Sequence, residues 1–436
     1  MRFKIFMFII VITFFHCTEK GDPELSKIDI ERLREFRNSN EKITLDNIIG
    51  SEETVQNNDF LLAQPRIALV NEKNDVIIAD EGRIKVFDAL GKEKLIFGNI
   101  GQGPGEFYQN FIAFLSPEGY LSVMDVDAGA YGSECNGRAR FIRYYNIFSP
   151  DYSFIEKRRF DSSEALTDYL LSSGAEINLL TGTAYLRNER KPDTFIRRFY
   201  LISENELLYA LTYDITDQQN IIIPIYDIVY EKEGKIMSLC KSRNPAHTKL
   251  IGTSYPLGEV KWEVLPDNRI VCLNTDNDVV DPADKSFYSL QIISFKDRNS
   301  IKTIRRPYTP IRFPERMIEV KDVPGMTDDI RKREELRKKP YKDKGYYVSA
   351  VQLLSDNKFI FVFLYSKGYE KGSGGDPFIP LTTDVFDAEN GEYVSTVDFP
   401  FIPWVIRNGY AYNLTVDADY FPVVEKYRID PAVYGK

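Results

Sequence analysis

Residues 66–80 read Arg66-Ile-Ala-Leu-Val-Asn-Glu-Lys-Asn-Asp-Val-Ile-Ile-Ala-Asp80. Two short apolar runs flank a polar turn, which is the pattern of a β-hairpin. The arrangement recurs at Ile112–Asp125, Lys261–Asn274, Ala350–Leu364 and Trp404–Asn413, with a looser copy at Ile177–Leu186. A second hairpin follows most of these. Lys85–Phe97 and Asp384–Val397 share the string Val-Phe-Asp-Ala ahead of a glycine turn, and Tyr145–Phe154, Phe199–Leu208 and Ile292–Ile301 are looser versions. Two successive hairpins make a four-stranded sheet. Sheets repeated at intervals of roughly 40–60 residues predict an all-β fold of the β-propeller type. One such sheet leaves its faces bare, so neighbouring sheets must cover it.

Six inner hairpins predict six blades. Tyr226–Leu239 has no inner partner on this reading, and it either extends the third blade or adds a seventh. The last strand, Val423–Ile429, has no return strand after it. The run Ile43–Ile49 is expected to complete that sheet and close the ring, removing an exposed edge. Short helical insertions are expected at Asp161–Leu171 and Thr327–Lys339. The second has acids at its start and bases at its end, as the helix dipole prefers, and Pro340 is expected to stop it. Residues 18–41 form a polar tether in which Ile28, Ile30, Leu33 and Phe36 fall at near-helical spacing. The propeller is therefore expected over residues 42–436.

Composition agrees with a folded globular chain: 436 residues, 43% hydrophobic and 28% charged. A net charge of −9 lacks the basic footprint that a nucleic-acid partner requires, so none is expected. Arg2 and Lys4 precede the apolar run Ile5–Phe15, which is shorter than the ~20 residues of a spanning helix and reads as part of a signal peptide over residues 1–17. Cys17 follows directly, and then the polar stretch Thr18-Glu-Lys-Gly-Asp-Pro23. This arrangement resembles a bacterial lipoprotein signal. It implies export to the cell envelope or periplasm, with membrane attachment only through a lipid on Cys17. His16 stands where such signals usually carry a small residue, and an ordinary secretory signal is the alternative.

The most specific string is Gly98-Asn-Ile-Gly-Gln-Gly-Pro-Gly-Glu-Phe107, preceded by Ala79-Asp-Glu-Gly-Arg-Ile-Lys-Val-Phe-Asp88. Together they resemble the repeat of six-bladed NHL-like β-propellers, and the chain as a whole resembles the exported, lipoprotein-type bacterial members. Gly101, Gly103, Pro104, Gly105, Glu106 and Phe107 are then a structural turn between blades. A phosphate loop is the competing reading. It needs a helix N-terminus after the glycines, whereas the β pattern resumes at Phe111. The glycines, Gly103 among them, are expected to supply positive φ, with Pro104 fixing the turn.

Some propellers are enzymes that hold a metal through several histidines or through carboxylates at the channel. Only His16 and His247 are present, so a multi-histidine site is excluded, and His247 is expected in a solvated loop. Asp80, Asp125 and Asn274 end three second strands. They either converge as an oxygen-rich cation site, with calcium as the metal, or end the strands by side-chain bonding to the backbone. Asp125–Asp127 and Asp276–Asp281 are further acidic turns, expected to be solvated. Cys135, Cys240 and Cys272 lack zinc-site spacing. Cys272 reads as a core residue, and a Cys135–Cys240 disulfide is left open. The leading expectation is a non-enzymatic binding or scaffold protein without a cofactor, holding a protein, peptide or carbohydrate through its channel-mouth loops. The alternative is a lactonase-like or lyase-like enzyme using a carboxylate-bound divalent cation.

Overall fold

Val76–Asp80 is buried along its whole length, as a strand must be when both faces of its sheet are covered. In the computed structural model it belongs to one of six four-stranded antiparallel sheets that make a six-bladed β-propeller. The structure describes residues 32–107, 111–127, 142–160, 164–174, 195–216, 222–243, 260–281, 285–297, 300–321, 326–365 and 380–436. Blade one comprises β2 (Pro65–Val70), β3 (Val76–Asp80), β4 (Arg83–Phe87) and β5 (Glu93–Phe97). Blade two holds β6 (Phe111–Leu115), β7 (Leu121–Asp127), β8 (Ile142–Phe148) and β9 (Phe154–Phe160). Blade three holds β10 (Phe195–Ser203), β11 (Glu206–Thr216), β12 (Ile222–Lys232) and β13 (Lys235–Arg243). Blade four holds β14 (Val260–Leu265), β15 (Arg269–Asn274), β16 (Phe287–Ser294) and β17 (Ser300–Pro307). Blade five holds β18 (Ala350–Ser355), β19 (Phe359–Leu364), β20 (Leu381–Asp387) and β21 (Tyr393–Phe399). Blade six joins β22 (Val405–Arg407), β23 (Tyr410–Val416) and β24 (Pro422–Ile429) to β1 (Ile43–Ile49), which pairs antiparallel with β24. The expected ring closure is therefore made by the N-terminal strand.

Blade three differs from the sequence expectation. Phe199–Leu208 falls in its inner hairpin, and Tyr226–Leu239 is its outer one. The seventh-blade reading has no hairpin left to support it, and Ile177–Leu186 lies outside the described residues. Helices decorate the ring: α1 over residues 32–38, α2 (Glu164–Ser172), α3 (Glu315–Ile318) and α4 (Asp328–Lys344). Helix α4 runs through Pro340 rather than stopping at it. Its N-terminus is capped by the Thr327 hydroxyl, which accepts from Ile330 N–H, and it ends at Gly345, whose positive φ of 74° allows its N–H to donate to the Tyr341 carbonyl. Tyr341 packs edge-on against Phe313, 5.4 Å between centroids, which holds the turn beyond the proline in place.

All six blades carry the same irregularity. Between the third and fourth strands the register slips by one residue, at Val86/Phe87, Ile147/Phe148, Ile228/Val229, Ile292/Ile293 and Val385/Phe386, and in blade six opposite Lys426/Tyr427. The extra residue sits on the outer strand, a β-bulge that adds to the twist the blade needs. The third-strand residue just before each slip is polar: Lys85, Asn146, Asp227, Gln291, Asp384 and Glu425. Five of these six are buried, and Gln291 is half-buried. Several bond to chain that lies outside their own sheet. Lys85 Nζ donates to the Leu61 carbonyl, Asn146 to the Glu106 carbonyl (3.2 Å), and Asp227 accepts from Tyr169 of α2. Asp384 accepts from Tyr288 Oη of blade four (2.7 Å), and Glu425 from Arg34 (3.4 Å) and Arg37 (3.2 Å) of α1. Polar pins thus fix the order of the apolar blade interfaces.

Four antiparallel strands return the chain to the end of the sheet where it entered. Connections within hairpins therefore lie at one end of the ring, and connections between hairpins or blades lie at the other. At the first end no connection among the blades is longer than 71–75, 88–92, 116–120, 149–153, 295–299 or 388–392. At the second end run 50–64, 98–110, 128–141, 161–194, 244–259, 275–286, 308–349 and 365–380.

Candidate ligand-binding end

The 98–110 connection holds the glycine string. Ile100 makes an isolated parallel bridge to Phe107, Gly101 N–H donates to the Phe107 carbonyl (3.0 Å) and Phe107 N–H to the Asn99 carbonyl (2.8 Å). The loop is closed on itself by its own backbone. Glu106 turns its carboxylate inward, where it accepts from Gly103 N–H at 2.7 Å, and Phe107 is fully buried against Phe111 and Phe148. Gly103 does not have positive φ; Gly98 (79°) and Gly105 (74°) do. Gly101 and Gly103 instead lie in close approach to the Glu106 side chain. A Cβ at Gly101 would stand 2.1 Å from Glu106 Oε2, and one at Gly103 2.9 Å from it. Close approach to Glu106, rather than backbone sign, distinguishes Gly101 and Gly103 in this loop.

Asp80 ends β3 and is buried with Lys85, whose ammonium lies 2.7 Å from Asp80 Oδ2. The other carboxylate oxygen accepts from Gln64 N–H at 2.6 Å. A cation at Asp80 would have to displace the ammonium. Asn274 behaves alike: its amide donates to the Lys241 carbonyl (3.2 Å) and its oxygen accepts from Asp276 N–H (3.0 Å), capping a 3₁₀ turn over Thr275–Asn277. Both side chains are engaged by backbone groups, and Asp80 by the Lys85 ammonium as well. The backbone of Asp125 pairs with Phe111 and Tyr144, while its side chain, like Cys17, Cys135 and His247, lies outside the described residues. Among the described residues no group of three or more histidine, cysteine or acidic side chains is placed to share a metal ion.

A different cluster occupies the mouth between blades four and five. Asp278 follows the 3₁₀ turn after β15, and Ser349 immediately precedes β18, the first strand of blade five. Ser349 N–H donates to Asp278 Oδ2 at 2.9 Å. Asp278 Oδ1 and the Tyr308 hydroxyl are buried and make no hydrogen bond to any described atom, and the buried Ser349 hydroxyl faces the Asp278 carboxylate. Burial pushes the Asp278 carboxyl up to about 6, opposed by hydrogen bonding from Ser349 and by the Lys344 charge at the end of α4. Burial in turn lowers Lys344. The Tyr308 hydroxyl is raised by burial and by Asp278 beside it. This is a small set of acceptors and hydroxyls whose hydrogen-bonding capacity is not filled among the described residues. The sequence reading touched it only as the acidic turn Asp276–Asp281. The tyrosine and the serine stand at the two opposite ends of the 308–349 connection, and no local spacing announces them.

No protein-family model matches the chain, and no curated protein matches it. Among solved structures it is similar to a member of the DUF4221 family from Bacteroides vulgatus, at 11% identity and a TM-score of 0.43, covering 89% of this chain and 98% of that one. It is also similar to a Bacteroides fragilis protein described as a candidate exported protein (11%, TM-score 0.28, 90% and 96% covered). A third is the β-propeller domain of the Trilobed protease from Pyrococcus furiosus, which has an open velcro topology (6%, TM-score 0.32, 80% and 77% covered).

Proposed function

We propose that this chain is an exported, lipid-anchored β-propeller that binds a ligand at its insertion-bearing end. The observation that carries this reading is the asymmetry of the ring. Tight turns close one end, while every long connection opens at the other. Chain placed in loops on a rigid scaffold is where propellers and other closed β folds put recognition. The cluster of Asp278, Ser349 and Tyr308 is the contact point within that end, because buried polar atoms without partners favour a ligand that supplies them. An acceptor beside two hydroxyls suits a ligand rich in hydroxyl or amide groups, a carbohydrate or a peptide.

The test is direct binding of the purified full-length chain, in detergent, to a glycan array and a tiled peptide library. The expected binders lose at least about tenfold in affinity in a Ser349→Ala/Tyr308→Phe double variant, the loss of one to two hydrogen bonds. They are unaffected by Leu90→Asp, a change at an exposed site in the 88–92 turn of the opposite end. Binding that ignores the double variant but is lost in Leu90→Asp, or no binder in either library, overturns the reading. Turnover of a lactone or glycoside in the same panel, abolished by Asp278→Asn, would replace it with the enzymatic alternative.

A further inference from the structure

Blades three and four meet in an unusual way. Elsewhere around the ring the first strands of neighbouring blades pack together: β2 with β6, β6 with β10, β14 with β18, β18 with β22, and β22 with β2. Between blades three and four β10 meets β14 through long side chains, Arg198 pairing with Glu263 at 3.0 Å and Tyr200 packing edge-on against Trp262, and the outer strand β13 also packs against β14 and β15. Cys240 lies on β13 and Cys272 on β15. Both are thiols in this structure, both are buried, and both belong to one apolar cluster that includes Ile228, Trp262 and Ile270. The Cys240 thiol is the first influence that raises the Cys272 thiol, ahead of burial, in keeping with the packing of β13 on β15. Cys272 Sγ also approaches Gln291 Oε1 at 3.9 Å. Gln291 is the half-buried member of the ring of third-strand polar residues.

We propose that Cys240 and Cys272 form a disulfide that staples blade three to blade four, made by exchange with a small-molecule or protein disulfide. One thiolate attacks the oxidant, forming a mixed disulfide and expelling one thiol. The second protein thiolate then attacks the protein sulfur of that mixed disulfide and expels the other. Two protein thiols lose two protons and two electrons, and the oxidant disulfide is reduced to two thiols. The exchange belongs to the assembly of the blades, because buried thiols are out of an oxidant's reach once the interface has closed.

The experiment refolds the full chain in glutathione buffers of graded redox poise, blocks remaining thiols with N-ethylmaleimide, and maps linked peptides without reductant by mass spectrometry. The expected result is a Cys240–Cys272 link that appears as the oxidised fraction rises, persists in Cys135→Ser, and raises the Tm by about 5 °C or more. Alkylation of both cysteines at every poise, or a link from Cys135 to either of them, overturns the proposal. The peptide map reads the wild-type chain, so the result does not depend on a cysteine variant folding.

Discussion

A methyl group at Gly101 would collide with the Glu106 carboxylate 2.1 Å away, so the glycine and the glutamate form a pair although five residues separate them. Gly101→Ala should destabilise the chain by about 1–3 kcal/mol, because Glu106 must leave its bond to Gly103 N–H to make room. In a Glu106→Ala background the same substitution should cost little, and denaturant melts of the four variants give the coupling. Equal costs in both backgrounds would mean that the backbone, not the carboxylate, needs the glycine. The sequence announces the turn through its glycines and Pro104. It does not announce why Gly103 is glycine, because that depends on where a side chain three residues later folds back. Asp278 shows the same limit. Nothing local distinguishes it from the solvated acids Asp276 and Asp281 until Ser349 is brought against it. Its carboxyl titrates near 6 when folded, above the ordinary carboxylate range, so folding favours the protonated form. That contribution is complete below about pH 4 and is lost as pH rises through 6. Asp278→Asn should therefore match the wild type at pH 4 and exceed it by about 2 kcal/mol at pH 8, read from urea melts at the two pH values. A constant difference across that range would place the carboxyl in solvent.

The hairpins and their alternation are legible from residues alone, since each side chain on a strand reports its own face. What a hairpin does within its blade is not. Phe199–Leu208 and Tyr226–Leu239 have the same local pattern, and only the pairing order β10-β11-β12-β13 makes one inner and the other outer. The repeated bulge is equally silent. In retrospect its mark is a polar residue inside an apolar third strand, as in Ile84-Lys85-Val86 or Val385 preceded by Asp384. By contrast β1 was readable, because β24 lacked a partner and an unpaired edge is a liability. Every β24 residue from Val424 to Ile429 pairs with β1, and Ile43 and Ile49 are fully buried. A chain beginning at residue 51 should expose that edge, melt at least about 10 °C lower and self-associate on size exclusion. A chain beginning at residue 42 keeps β1 but loses α1, and with it the Arg34 and Arg37 partners of buried Glu425; it should stay monomeric with a smaller loss of about 3 kcal/mol. Self-association of the longer chain would shift the closing role from β1 to α1.

At the scale of the molecule, the ring has two unlike ends and one fixed point for its N-terminal tether. Arg34 and Arg37 of α1 hold Glu425 of blade six, and Asn40 donates to the Asp398 carbonyl of blade five at 2.9 Å, so the chain preceding β1 is pinned to the side of the ring from residue 34 onward. Among the described residues no helix is long and apolar enough to cross a membrane. We propose that attachment falls to Cys17, with residues 18–31 as the leash; fully extended, that leash reaches about 50 Å. Such a leash would leave the ring free to present its loop-bearing end away from the lipid surface. A single acyl chain holds a protein only marginally, whereas a cysteine carrying several chains holds it stably. The prediction is therefore sharp. In a bacterial host the wild-type chain should fractionate with membranes and resist high salt, with an acylated Cys17 as its first residue by mass spectrometry. Cys17→Ser should move it to the soluble fraction without changing its melt. Salt-resistant membrane association of Cys17→Ser, or a mature chain beginning at a residue other than Cys17, would replace the lipid anchor with an ordinary secretory signal, the reading that His16 favours.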